Sequence, residues 1–227
     1  MAGKLIIIES GVDGSGKATQ TELLYNRLLE NGNRVKRITF PNYDSDSSAI
    51  VKMYLNGDFG KNPEDVDPYI SSTFFTIDRY ASFKKEWEKY YNDGYIIISD
   101  RYTTSNMIHQ SAKMDKISDI DEYIEWLEDY EYNFYKIPRP DFVIFLDVDP
   151  ETSFKLIESR KNEIDGSDQK DIHEANKEYL KKSYRASKYI SEKYNWNIVN
   201  CMDLYGMKSI EDINEKVYEL VMRYLDN

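Results

Sequence analysis

The stretch Gly11-Val12-Asp13-Gly14-Ser15-Gly16-Lys17-Ala18-Thr19 combines glycines, hydroxyls and a lysine at a spacing that suits phosphate binding. Glycines let the backbone curl until successive N–H groups converge on an anion. A lysine directly after the last glycine can reach the outer phosphates of a nucleoside triphosphate. An ordinary glycine-rich turn requires neither that lysine nor that spacing. The run departs from G-x-x-x-x-G-K-[ST] at one position: Ala18 stands where a hydroxyl would meet Mg2+, and Thr19 offers one a residue later. The second chemical pair is Asp100-Arg101. A carboxylate there can meet a metal ion or its water shell, or accept a proton. A guanidinium beside it can clamp a phosphoryl group whose charge spreads over several oxygens. Alone, Asp-Arg is a common strand-end ion pair; beside a phosphate loop it reads as chemistry.

These residues must be positioned by the elements around them. Leu5-Ile6-Ile7-Ile8 is too short for a helix and reads as a buried strand. After Lys17 the pattern turns helical, with Leu23, Leu24, Leu28 and Leu29 on one face, closing near Gly32. Further strands are expected at 35–40, 95–99, 142–146 and 196–201. Helices are expected at 45–56, 68–92, 105–114, 118–135, 150–160, 172–194 and 210–225, with a polar segment at 161–170. Strands alternating with helices predict an α/β fold with a parallel sheet covered on both faces. Ligands of such a sheet sit beyond its C-terminal strand ends, where the glycine loop, Asp100, Asp147 and Asp203 are all expected.

Composition bounds the rest. The chain has 227 residues, with 31% charged and 41% hydrophobic residues, enough for one α/β domain over 1–227. A formal net charge of −11 argues against a general nucleic-acid or anionic-membrane binder, so phosphate-binding cations must be concentrated locally. The single cysteine, Cys201, rules out an intrachain disulfide and fits a reducing cytoplasm. No apolar run approaches the ~18 residues of a membrane span, and no signal peptide is recognised. The expected location is cytoplasmic.

With these motifs in order, the chain resembles thymidylate kinases over its whole length. The glycine loop carries the family's acidic third residue, Asp13. Phe40-Pro41-Asn42-Tyr43 resembles its phenylalanine-proline motif, and Phe75-Thr76-Ile77-Asp78-Arg79 its F-x-x-[DN]-R motif. Asp100-Arg101-Tyr102-Thr103-Thr104-Ser105-Asn106 resembles D-R-Y-x-x-S, and Pro140 to Asp147 the fourth strand. Arg160 opens the expected lid (about 160–172), and Asp171-Ile172-His173-Glu174 resembles D-x-[YF]-E at its far end. The resemblance implies a P-loop kinase fold with a five-stranded parallel sheet in order 2-3-1-4-5, and a homodimer. It implies phosphorylation of dTMP to dTDP with ATP as co-substrate and Mg2+ as cofactor, on the route to dTTP.

It also implies roles. ATP is expected on Gly11, Val12, Asp13, Gly14, Ser15, Gly16, Lys17, Ala18, Thr19 and Arg160. Phe75 is expected to stack on thymine, with Arg79 and Asn106 hydrogen-bonding the base, Phe40 packing beside it and Tyr102 under the deoxyribose. Asp13 is expected near the sugar 3′-hydroxyl, and Tyr43 and Arg101 at the acceptor phosphate. His109 stands where relatives carry an aromatic residue, and reads either as a base or sugar contact or as a packed helix histidine. Lys17, Asp100, Arg101, Arg160 and Asp13 form the expected catalytic set, with Asp100 as metal contact. Gly14 occupies the position of a P-loop arginine, so a lid cation is expected instead, with Arg160, Lys161 and Lys170 available. Ser10 is an extra residue between Glu9 and Gly11, and His173 replaces the lid-side aromatic residue.

Three rivals stay open at this level. One is a related kinase acting on another monophosphate or a deoxynucleoside. Another is a nucleotide-binding relative weakened by Ala18. The third is a GTPase-like switch, which Asn176-Lys177-Glu178-Tyr179 does not support because it lacks the aspartate of N-K-x-D.

Overall fold

In a computed structural model, residues 2–158, 164, 166 and 170–226 are described. Five parallel strands form the expected sheet: β1 (Lys4–Glu9), β2 (Val35–Thr39), β3 (Ile96–Asp100), β4 (Phe142–Asp147) and β5 (Asn197–Asn200), in order β2-β3-β1-β4-β5. The middle strand β1 pairs Ile8 with Asp100 on one side and with Ile144 on the other. The motif after β1 and the one after β3 therefore emerge side by side.

The strands are apolar on both faces because both are covered. Leu5, Ile7, Ile97 and Phe145 pack with Trp87, Tyr102 and Tyr123 on one side. Ile6, Ile8, Ile98 and Ile144 pack with Leu24, Leu28 and Val217 on the other. Each fully buried isoleucine of this kind contributes on the order of 1.5–3 kcal/mol. The helices are α1 (Lys17–Glu30), α2 (Ala49–Leu55), α3 (Pro68–Ser82), α4 (Glu88–Asn92), α5 (Thr103–Ser111), α6 (Ile117–Glu128), α7 (Pro150–Glu158), α8 (Lys177–Lys193) and α9 (Ile210–Leu225). None among the described residues is long and apolar enough to cross a membrane.

The structure departs from the pattern-based expectations in four places. The segment expected as one helix over 68–92 contains a π-helical turn, Phe83–Trp87, and another, Asp129–Phe134, follows α6. The helix expected from 172 starts at Lys177. Asp171 and Asn176 intercept the backbone first, with Asp171 Oδ1 accepting from the His173 and Glu174 N–H groups and Asn176 Oδ1 from that of Tyr179. A hairpin of β6 (Met202–Asp203) and β7 (Gly206–Met207) follows β5, with strands too short to show a period. Asp203 therefore belongs to that hairpin, where its carboxylate accepts from the Tyr205 N–H at 2.7 Å. Asp147 does end β4, yet Tyr184 and Lys188 of α8 donate to it at 3.0 and 2.8 Å. Strand-end position grouped both with Asp100, and neither joins it.

Candidate active site

The glycine loop leaves β1 and opens α1 as its spacing predicts. Gly14 and Gly16 have φ of 70° and 85°, a left-handed backbone that favours glycine. Gly16 precedes α1 without a side-chain cap, and no acidic residue sits in the first turn. A helix start of this kind directs backbone N–H groups outward, and the helix dipole favours an anion there. Lys17 Nζ folds back over the loop and donates to Val12 O at 2.9 Å and Ser15 Oγ at 3.3 Å. It lies 3.7 Å from Asp13 Oδ1. Ala18 and Thr19 are exposed on the first turn and line the same cavity as Asp100.

Arg101 sits immediately past β3 with φ of 65°, left-handed and non-glycine. Such a residue costs on the order of 1–3 kcal/mol and persists only where its surroundings over-determine it. Here its N–H donates to Ile8 O at 3.2 Å, prolonging the β1–β3 ladder. Its Nη2 pairs with Asp13. Its Nη1 donates to His109 Nε2 at 3.2 Å. The guanidinium is held between the glycine loop and α5.

Beyond Arg101 lies a cleft lined by aromatic and polar side chains. All nine residues assigned to the acceptor by sequence line it: Asp13, Phe40, Tyr43, Phe75, Arg79, Arg101, Tyr102, Asn106 and His109. The Phe40–Pro41 peptide is cis. Tyr102 is fully buried, packs against Phe40 at 5.9 Å and donates its hydroxyl to Pro138 O at 3.0 Å, so its ring face and not its oxygen serves the cleft. Asn106 Nδ2 donates to Ser72 O at 3.4 Å. The cleft and the phosphate cavity share Asp13, Phe40, Pro41, Tyr43 and Arg101. Two compartments therefore meet at the Asp13–Arg101 pair. Arg160 and Lys161 lie outside the described residues; Lys170 is described, at the start of the segment leading to α8.

Two imidazoles form part of the cleft wall. His109 stacks on His173 at 5.8 Å between centroids. Burial, then the Arg101 and Lys17 charges, hold His109 well below the ordinary histidine pKa. Burial, then the neighbouring His109, does the same to His173. Both are neutral, and His173 Nε2 meets the Tyr54 hydroxyl at 3.0 Å. Nearby, burial followed by the charge of Glu174 pushes the Asp171 carboxyl up to about 6.

Several supporting residues escape the motifs. Glu9 is fully buried and accepts from its neighbour Ser10 N–H at 2.9 Å, Thr104 Oγ1 at 2.7 Å and Ser105 Oγ at 2.6 Å, tying the end of β1 to α5. Glu131, also fully buried, pairs with Arg79. A signal for each exists: a carboxylate inside an apolar strand run, and one continuing the buried stripe Ile120, Tyr123, Ile124, Leu127. Neither signal names its partner. Among the described residues no group of three or more His, Cys, Asp or Glu side chains could hold a metal ion.

Comparison with known proteins agrees with this geometry. The family model for thymidylate kinase matches residues 8–215. The thymidylate kinase of Brachyspira hyodysenteriae is 32% identical, over 86% of this chain and 84% of that protein. That of Schizosaccharomyces pombe is 28% identical, over 96% and 91%. A solved structure of thymidylate kinase from Candida albicans superposes with a TM-score of 0.70 at 23% identity, covering 98% of this chain and 92% of the other, and so shares the fold.

Proposed function

The chain belongs to the thymidylate kinase family, and from that premise we propose how its cleft transfers the γ-phosphoryl group of ATP to dTMP, giving ADP and dTDP. The observation that carries this reading is the meeting of the two compartments at Asp13 and Arg101, with the acceptor residues on one side and the glycine loop on the other. A donor triphosphate on the loop and a monophosphate in the cleft are brought end to end.

Phosphoryl transfer asks the protein for positioning and charge neutralisation. An oxygen of the dTMP phosphate attacks the γ-phosphorus while the bond to the β-γ bridging oxygen breaks and the electron pair leaves with ADP. A phosphate monoester with a second pKa of about 6 is already largely dianionic at neutral pH, so the nucleophile needs no general base. That favours Asp100 as a metal contact over Asp100 as a proton acceptor. Its carboxylate lines the phosphate cavity with Lys17, which fits Mg2+, an ion usually bound by one or two carboxylates, water and substrate phosphates. When bound, Mg2+ neutralises β- and γ-phosphate charge. Lys17 exchanges Val12 O for a phosphate oxygen, and Arg101, set by Asp13 and His109, binds the transferring or acceptor phosphate. Phe75 and Arg79 hold the thymine, and Tyr102 lies under the deoxyribose. A cation of the segment around 160–172 completes the site, with Lys170 and Arg160 the first to test.

We assign the protein to the cytoplasm as a homodimer. Ile70, Ile77 and Tyr80 leave an exposed apolar stripe on α3, which supports a covered face; sedimentation would test it. The activity is tested by ADP release with ATP, Mg2+ and dTMP beside dUMP, dCMP, dGMP and thymidine. Turnover should be strongest with dTMP and lost in Lys17→Ala. Preference for another acceptor, or no turnover in protein that binds ATP, would overturn the assignment.

A further inference from the structure

Arg79 carries a full positive charge at the base end of the cleft, 2% exposed, although a thymine offers it only neutral carbonyl oxygens. Its surroundings account for that charge. Nε donates to Glu131 Oε2 at 2.8 Å, and Nη2 donates to Glu131 Oε1. Glu131 also accepts from Thr76 Oγ1 of α3 at 3.0 Å and Thr103 Oγ1 of α5 at 2.6 Å. A carboxylate has about four acceptor sites, and here four donors occupy them. Glu131 therefore has no acceptor site left for substrate. Arg79 gives Nε and Nη2 to Glu131 and donates from Nη1 to Tyr102 O at 3.5 Å, and its side chain lines the cleft.

We infer that Glu131 is a positioning residue for the acceptor base: it fixes the guanidinium of Arg79 edge-on and cancels its charge, so that this end of the cleft takes a neutral base and the phosphate goes to Arg101. Two features make the assignment more than a buried ion pair. First, the cleft has an arginine at each end, and a monophosphate could be anchored by either. The Arg79–Glu131 pair sums to zero charge, which leaves that end of the cleft without a net cation for a phosphate, whereas Arg101 lines the same cavity as the uncapped start of α1, whose dipole favours an anion. Charge thus sets the direction in which the nucleotide enters. Second, the two threonines come from the helix that carries Arg79 and from the start of the helix that follows Arg101-Tyr102. One carboxylate, carried on the π-helical turn Asp129–Phe134, ties the base-reading and phosphate-reading elements together.

This inference rests on the assignment of Arg79 to the base, and the test separates the two. Thymidine, which has a base and no phosphate, is used as a competitive inhibitor against dTMP, in the enzyme with ATP and Mg2+. In Arg79→Met, the inhibition constant of thymidine should rise; no change there would remove the base assignment itself. In Glu131→Gln, which keeps the shape and loses the charge, thymidine inhibition and the KM for dTMP should both weaken by about tenfold or more, with the KM for ATP within twofold. Adding Glu131→Gln to Arg79→Met should change thymidine binding little, because the carboxylate acts through the arginine. Thr103→Val, which removes one donor to Glu131 without touching Arg79, should give a smaller change of the same kind and decides the matter if Glu131→Gln does not fold. Unchanged thymidine inhibition in folded Glu131→Gln, equal losses for dTMP and ATP, or full additivity with Arg79→Met would overturn the inference.

Discussion

Arg101 Nη1 donates to His109 Nε2 at 3.2 Å, and this assigns the histidine tautomer: Nε2 must be the bare nitrogen, with the proton on Nδ1 facing Ser183 Oγ at 3.4 Å. The histidine at this position is an acceptor that orients the guanidinium proposed to bind phosphate. A hydrogen bond from a charged donor contributes about 1.5–3 kcal/mol. His109→Phe, which fills the space without the acceptor, should lower kcat/KM for dTMP by about 10- to 100-fold while leaving ATP binding near its original strength. Steady-state kinetics with both substrates varied would check this. A change under twofold would mean that Asp13 alone sets Arg101.

The same histidines make stability depend on pH. His109 and His173 are neutral when folded, with pKa values well below 6.5, and regain ordinary values when unfolded. As pH falls below 6.5 the unfolded chain takes up protons first, so stability is full above that pH and is lost on acidification. Asp171 acts in the opposite sense. Its folded value of about 6 lies above the ordinary 3.8, so its contribution is full below 3.8 and is lost as pH rises through about 6. Urea unfolding between pH 5 and 7 should show His173→Phe flattening the acid loss by up to one proton, about 1.4 kcal/mol per pH unit. Asp171→Asn should steepen it. Parallel curves for all three proteins would contradict the assignment.

Ala18 bears on the metal. Successive helical residues point about 100° apart, so Thr19 does not reach the direction of residue 18. Ala18→Ser should therefore lower the Mg2+ concentration needed for half-maximal rate severalfold, and Thr19→Ala should leave it unchanged. A rise in the Mg2+ requirement with Thr19→Ala would show instead that the shifted hydroxyl does this work.

Gly11 is needed for a close approach and not for an unusual dihedral angle. A Cβ there would lie 2.8 Å from Ser187 Cβ, closer still to its Oγ, and 3.2 Å from Tyr184 Cα of α8. Gly11→Ala should cost about 1–3 kcal/mol by overpacking, or roughly 2–4 °C in melting midpoint per kcal/mol. Ser187→Gly in the same chain should recover part of that loss. Additive losses in the double variant would place the strain elsewhere.

Much of this molecule was legible in the chain. Apolar runs and glycine punctuation marked all five strands, and the P-loop spacing marked the donor site, because both are local patterns of a few residues. The acceptor residues were legible through resemblance, and all nine line one cleft. What local pattern could not supply is who pairs with whom. Arg79 and Glu131 are 52 positions apart, and Gly11 meets Ser187 across the sheet's ends; their relation exists only once the strands are ordered. The start of α8 was missed for a local reason, since Asp171 and Asn176 accept from N–H groups two and three residues on, turns that an apolar period reads through. Sequence determined the five strands of the sheet, the glycine loop and most of the helices, since periodicity and backbone freedom are local. Tertiary structure alone decided the charge and tautomer of the cleft residues, since burial and partners arrive from distant segments.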